Sequence, residues 1–248
     1  MWHDYGRKII KAIFKKRTDS PTICAKLESK VQADSDRSDI SLFEIRLSTE
    51  QYGDYEQSTG IAAQESESAR IVAIAKANGL FIDKSEWYKF GDRKRLPSGE
   101  SIVFINDKED VVTKIRDPFA KSVIKELHAY DVIYEHLIHN ILFPNSRYKF
   151  TGISEDAGTV RFILQQNYLS DKFIAPSQTI IDNYLIKGLG LKKENRYYYA
   201  NDFIAITDVS ANSDNVLFDG QQLYFIDPII KFNQPATNVL EYYYKLLG

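Results

Sequence analysis

The chain has 248 residues, 44% of them hydrophobic and 27% charged, enough for one globular domain of two lobes or one domain with an appendage. Its 32 basic and 34 acidic side chains leave a formal charge of -2, which excludes a global pull toward nucleic acid or anionic membrane and makes any such contact local. A lone cysteine, Cys24, excludes an internal disulfide and a thiolate metal cluster, and this usage fits a cytoplasmic protein.

No run of eighteen apolar residues occurs, so no membrane span is expected. The opening MWHDYGRKIIKAIFKKR is too broken by charge for a secretory signal. At helical spacing it gathers Trp2, Tyr5, Ile9, Ile10, Ile13 and Phe14 near one side, with Lys8, Lys11, Lys15, Lys16 and Arg17 mostly elsewhere. Such a helix packs on its own protein or a partner, and its basic face offers a second use as a nucleic-acid contact. From Thr18 to about Ala63 the composition turns to Ser, Asp, Gln and Thr, relieved by a strand-like ISLFEIRL. Residues 1–64 are therefore taken as a basic helix and polar arm or linker, and residues 65–248 as the ordered domain.

SESARIVAIAKANG predicts a short helix capped by Ser66 or Ser68 and stopped by Gly79. GDRKRLPSGES follows as a loop punctuated by Gly91, Pro97 and Gly99. IVFI, the turn NDKED and VVTKI predict a hairpin that carries Lys114 among β-branched neighbours. An ammonium group there either snorkels to water or meets an anion such as phosphate or a carboxylate.

FAKSVIKELHAYDVIYEHLIHNI predicts a long helix, with Pro144 beyond its end. His136 and His139 stand three apart on it, but no third ligand accompanies them, so they read as satisfied histidines rather than a metal site. RYKFTGI and TVRFILQQNYL predict two further strands with Glu155, Asp156 and Gly158 in the turn. TIIDNYLIKGLGL predicts a helix ending at Gly188 or Gly190, and the triple tyrosine of NRYYYANDFIAIT acquires no chemistry from its spacing. In ITDVSANSDNVLFDGQQLYFIDPIIKFN, the Asp219–Gly220 pair between apolar runs predicts a hairpin. Asp208 and Asn215 precede that hairpin and Asp227 closes it, three hard oxygen side chains in one stretch.

An acid, an Asn and a second acid after a hairpin, downstream of a strand lysine, is the order of parts in protein kinases. SESARIVAIAKANGLFID, SGESIVF, VVTKI, HNILFPNSRYKFTGI, FILQQNYL and NVLFDGQQLYFIDPII, in this order, resemble the protein-kinase-like domain of polyvalent proteins from bacterial mobile elements and phages, of the Bacteroides type. The likeness covers roughly Glu65 to Asn233. It implies an α+β, protein-kinase-like fold: an antiparallel N-lobe sheet with one long helix, plus a reduced C-terminal lobe. It implies ATP and Mg2+ as cofactors, with Lys114 on the nucleotide phosphates, Gly99 in the loop that covers them, and Glu126 or Glu135 pairing with the lysine. The segment from Gln165 to Tyr168 would then be the hinge that holds adenine.

Asn215 and Asp227 would bind the metal, and Asp208 would be the catalytic base toward an unknown protein or small-molecule acceptor. The family pattern puts that base five residues before the Asn, which here is Ser210, whereas Asp208 stands seven before; Ile206 occupies the usual His position. Only twenty-one residues follow Asp227, which is short for a helical substrate-binding half. These departures keep open a pseudokinase or interaction module of a mobile element beside the active kinase.

Overall fold

The computed structural model describes residues 61–94, 101–106, 108, 110–120, 129–169, 173–235, 238–239, 242–243 and 246. The amphipathic start, the polar arm, Gly99 and Glu126 lie outside the described residues. The architecture is α+β, and every strand pairing within its sheets is antiparallel. The chain divides into two units, described in turn; the first ends at Ile133 and resumes over Tyr148–Tyr168, and the second holds Tyr134–Arg147 and Leu169–Gly248.

In the first unit, helix α1 (Ile61–Ala77) begins upstream of the predicted caps, because Ala62, Ala63 and Gln64 are good helix formers. Ser68 is buried inside the helix rather than capping it. The predicted stop holds: Gly79 has φ +68, and the amides of Leu80 and Gly79 return to the carbonyls of Ala75 and Lys76 at 2.9 and 3.4 Å. This is the left-handed glycine closure that only a residue without Cβ adopts at no cost. A 3-10 turn, Lys84–Phe90, follows, opened by Asp83, whose carboxylate accepts from the Ser85 amide at 2.8 Å.

Five strands form the sheet: β1 (Asp92–Lys94), β2 (Ser101–Asn106), β3 (Val111–Arg116), β4 (Lys149–Asp156) and β5 (Thr159–Asn167), in the order β1-β2-β3-β5-β4. β1 corrects the reading of GDRKRLPSGES as loop throughout, since Asp92–Lys94 pairs with β2 as an exposed edge strand. The β4–β5 turn is also tighter than predicted: Glu155 and Asp156 stay in the strand, and only Ala157 and Gly158, at φ +52 and +79, make the turn. Two successive positive φ values match the twist of a two-residue hairpin. One face of the sheet buries Trp87, Phe104, Ile115 and Ile163 together, and the Trp87 indole N–H donates to the buried Ser154 hydroxyl at 3.0 Å.

Helix α2 (Ala129–Leu142) runs from Ile133 of the first unit into Tyr134 of the second. The second unit continues with a 3-10 turn, Pro144–Ser146, then α3 (Gln178–Asp182), which passes directly into a π-helical turn, Asn183–Gly188. The predicted helix over TIIDNYLIKG thus forms, but its second half is wider than an α-helix, with Leu189 N–H reaching Tyr184 O at 3.1 Å. Strands β6 (Lys192–Asn195), β7 (Tyr198–Ala200), β8 (Ile204–Thr207) and β11 (Ile229–Phe232) form a four-stranded sheet in the order β11-β8-β7-β6. β9 (Val216–Phe218) and β10 (Leu223–Phe225) form a separate hairpin. Its turn is the predicted Asp219–Gly220 site, widened to the four residues 219–222. The Gln222 and Gln221 amides and the Tyr224 hydroxyl converge on the Asp219 carboxylate and hold it below the usual carboxylate range.

Gly91 bears the backbone demand of the 3-10 exit at φ +108, where a Cβ would run into the Ile105 carbonyl of β2. Gly91→Ala is expected to lose about 2 kcal/mol of unfolding free energy through the left-handed backbone and the clash. Gly188→Ala, with open space around it and no positive φ, should stay within about 0.5 kcal/mol of wild type. Urea unfolding followed by circular dichroism measures both.

Candidate active site

Lys114 sits in the middle of β3, directly opposite Val103 of β2 and Leu164 of β5. Both of those neighbours are buried, so the lysine stem rises from an apolar patch. Its Nζ donates to the Tyr148 hydroxyl at 3.1 Å and lies 5.1 Å from the ring centroid; the hydroxyl, not the ring face, is the closer partner. The ammonium group is thus met by a polar atom where the stem alone would leave it desolvated. On the opposite face of β3, Thr113 is buried and accepts from the Gln165 side chain at 3.2 Å. Gln165 and Gln166 of the proposed hinge belong to β5, and the Tyr168 amide just beyond it donates to the Asp110 carbonyl at 2.6 Å.

The second unit holds Asp208, Asn215 and Asp227. β8 ends at Thr207, and Asp208 turns the chain with φ +62, a left-handed conformation that Asp tolerates better than most residues. The following residues fold back: Val209 and Ser210 are buried, and the Ser213 amide returns to the Ser210 carbonyl at 2.9 Å. The Ser213 hydroxyl donates to the Asp208 carbonyl at 3.0 Å and accepts from the Asn215 amide at 3.1 Å. This loop returns Asn215 to Asp208, whose Oδ2 accepts from Asn215 Nδ2 at 2.6 Å. The seven-residue separation in sequence is therefore a direct contact in space, while Ser210, five residues before Asn215, is buried away from that contact.

The hairpin carries this pair to Asp227. β9 and β10 are in register from Leu223 with Phe218 to Phe225 with Val216, and one step further the Ile226 amide donates to the Asn215 carbonyl at 2.8 Å. Asp227 is the next residue, exposed and engaged in polar or charge interactions. With its nitrogen committed to Asp208, the Asn215 amide turns its oxygen the other way. The donor set of this stretch is carboxylate and amide oxygen with no sulfur or imidazole, the chemistry that suits Mg2+. Among the described residues no cluster of three or more His, Cys, Asp or Glu side chains assembles a metal site of another kind.

The end of β10 is fixed from α2. His139 Nε2 lies 2.9 Å from the Phe225 carbonyl, and the Phe225 amide donates to the Ser146 hydroxyl at 3.1 Å. The Phe225 ring stacks on Phe143 at 4.2 Å and tilts against Tyr184 at 5.2 Å. His139 is therefore a buried, hydrogen-bonded histidine, as its lack of a third ligand implied. Glu135, one of the two acids proposed to pair with Lys114, is half-buried on α2 and engaged in interactions of its own.

Sequence reasoning missed a group of side chains behind the Asp208 loop. Tyr199 of the triple tyrosine is fully buried and donates to Asp182 Oδ1 at 2.6 Å; Gln178 Nε2 donates to the same oxygen at 3.0 Å and to the Tyr199 oxygen at 2.7 Å. Lys193 Nζ reaches both Asp182 oxygens at 2.9 and 2.7 Å. Burial opposes ionisation of Asp182, but the Gln178, Lys193 and Tyr199 bonds and the Lys193 charge outweigh it and lower its pKa. Burial and the same carboxylate push the Tyr199 phenol up. No spacing rule connects residues 178, 182, 193 and 199; the only signal was a phenol with no solvent-side reason to follow two others.

A family model described as a serine/threonine/tyrosine kinase found in polyvalent proteins matches residues 64–234. The chain belongs to that family, and its domain is kinase-like. No curated protein and no solved structure matches it. No described helix is long and apolar enough to cross a membrane.

Tyr184 tests the packing that fixes Phe225. Its hydroxyl donates to the Leu142 carbonyl at 2.5 Å, and burial pushes its pKa up to about 12 from the ordinary 10.0. A phenol whose folded pKa is raised gives stability that is complete below pH 10 and disappears as pH rises toward 12, because the unfolded chain ionises first. Unfolding free energy should accordingly fall over that interval, and Tyr184→Phe should flatten the fall; urea unfolding at stepped alkaline pH measures it.

Proposed function

We propose that this domain binds ATP with Mg2+ and transfers phosphate to a hydroxyl of a protein or small-molecule acceptor. The observation that carries the reading is the bonded sequence Asp208–Asn215–Ile226, which brings an acid, an amide and, one residue on, Asp227 to one end of a hairpin. In this reading the five-stranded sheet serves as the N-terminal lobe and the second unit as a reduced C-terminal lobe. Bound Mg2+ would bridge the phosphate oxygens and offset their charge.

Asn215 and Asp227 would hold the metal through hard oxygens, Lys114 would take phosphate oxygens in exchange for the Tyr148 hydroxyl, and Gly99 and Glu126 or Glu135 would complete the phosphate side. Asp208 accepts a hydrogen bond from Asn215, so its carboxylate is already oriented as an acceptor, which is what a base for an incoming hydroxyl requires. Most of the rate gain in such chemistry comes from positioning and charge neutralisation, which these residues supply. Work in the cytoplasm and residence in a mobile genetic element are parts of the same proposal.

Ser210 favours a second reading, a pseudokinase that binds nucleotide without turnover. It occupies the position five before Asn215 where the family pattern has its base, and it is buried.

Binding is measured by thermal shift. A ligand at a hundredfold excess over its dissociation constant adds about 2.7 kcal/mol to the folded state. Mg-ATP should therefore raise the melting temperature of wild type. Asp227→Asn, which keeps the shape but gives up the charge that holds a hard cation, should lose most of that shift while its melting temperature without nucleotide stays near wild type; Lys114→Met should lose the shift too, and the double variant should lose no more than the worse single. An unshifted wild type at millimolar Mg-ATP removes the reading. Turnover is measured separately with radiolabelled ATP. Asp208→Ala should abolish transfer and leave nucleotide affinity within about twofold, since the base touches the acceptor. Trace transfer in wild type that rises in Ser210→Asp would instead establish the pseudokinase.

A further inference from the structure

The Asp208–Asn215 loop has a second attachment besides its own hairpin. Gln178, the first residue of α3, uses both ends of its amide: Nε2 donates to Asp182 and to Tyr199, while Oε1 accepts from the backbone N–H of Ala211 at 3.1 Å. Ala211 lies inside the loop, three residues after Asp208 and four before Asn215. Only one amide orientation satisfies these contacts, because a carboxylate accepts and a backbone N–H donates. Asp182 is fixed in turn by Lys193 of β6 and Tyr199 of β7, which face each other across the strand pair. The loop is thus tied to a helix and a sheet through one side chain.

We propose that Gln178, oriented by Asp182, is a positioning residue that holds the Asp208–Asn215 loop in its returned shape through the Ala211 amide. Its consequence for nucleotide rests on the reading of the loop given above; the ordering of the loop does not. Neither residue touches the reacting atoms. A loop that leaves the left-handed turn at Asp208 would lose the 2.6 Å contact to Asn215, and the metal-binding amide oxygen would then have no fixed direction. The tie to Gln178 supplies a restraint from outside the loop against that loss.

The test uses the full chain, with protection of the Ala211 amide against hydrogen exchange read by NMR and Mg-ATP affinity read by titration. Removing one backbone hydrogen bond corresponds to a change of roughly three- to tenfold. Gln178→Ala should lower Ala211 protection by about that factor, leave the Ile206 amide of the β8 core unchanged, and weaken Mg-ATP by a similar factor. Gln178→Glu keeps the size and adds a specific readout. When ionised, the introduced carboxylate is repelled by Asp182; sharing a proton between the two carboxylates restores a donor toward Asp182 and an acceptor for Ala211. Lys193 and Tyr199 are the other titratable groups facing this pair. Ala211 protection in Gln178→Glu should therefore recover as pH falls, whereas in Gln178→Ala it should not.

Unchanged Ala211 protection in Gln178→Ala, or the absence of acid recovery peculiar to Gln178→Glu, would overturn the proposal. Lost protection with undiminished Mg-ATP affinity would overturn the positioning role. If wild type binds no Mg-ATP while protection responds as described, the tie stands and the nucleotide reading falls.

Discussion

Phe225 gives both of its backbone groups to side chains from one stretch, its carbonyl to His139 and its amide to Ser146, and its ring lies against Phe143 and Tyr184. A strand of three residues paired with one partner is marginal by itself. Here the end of β10 is held by hydrogen bonds that must be satisfied in a buried setting and by aromatic area that must be covered. From that fixed point the chain reaches Asp227 in two residues, and the Ile226 amide carries the constraint across to Asn215. Asn215 then holds the Asp208 carboxylate. The candidate site of the second unit descends from one anchored phenylalanine, so His139 and Ser146 matter to it although neither has a place in its chemistry.

The elements with strong local signals were legible in the chain. The apolar alternation of IVFI and VVTKI, the Asp219–Gly220 pair and the Gly79 stop each correspond to a strand, a hairpin turn or a helix end in the structure. What failed was local propensity at boundaries: α1 starts before the serines because Ala62 to Gln64 extend it, and the polar DRK of the supposed loop forms an edge strand because β2 offers it a partner. Strand pairing is set by the neighbour, which a one-dimensional pattern does not contain. The site was partly legible for the same reason. Asp208, Asn215 and Asp227 lie within twenty residues, and hairpin geometry connects them. Tyr148, thirty-four residues from Lys114, and Gln178, thirty-three residues from Ala211, answer to tertiary packing alone.

Membership of the kinase family of polyvalent proteins gives the parts a common order, but the residues differ in how they are supported. Lys114 stands in a continuous sheet and has a phenol for its partner. The acid and amide of the second unit stand in an irregular loop whose shape depends on a positive φ, a buried serine and an external side chain. A rigid strand tolerates exchange of its neighbours for others of similar size, whereas a loop held by a few directional bonds loses its shape with any one of them. The loop is accordingly where active and inactive members of such a family would diverge.

The π-helical turn Asn183–Gly188 has a consequence for how this segment can change in length. A π turn is an α-helix that has accepted one additional residue. It lies between Asp182 and Lys193, the two members of an ion pair. Deleting a single residue there would let the turn relax to ordinary helix, yet would rotate everything downstream by about a hundred degrees about the helix axis and carry Leu185, now fully buried, off its packing face. The extra residue acts as a spacer that sets phase, so this stretch should accept changes of side chain far more readily than changes of length. Insertions and deletions among relatives should gather instead at hairpin tips such as Arg196 and Tyr197, where no helical phase has to be kept.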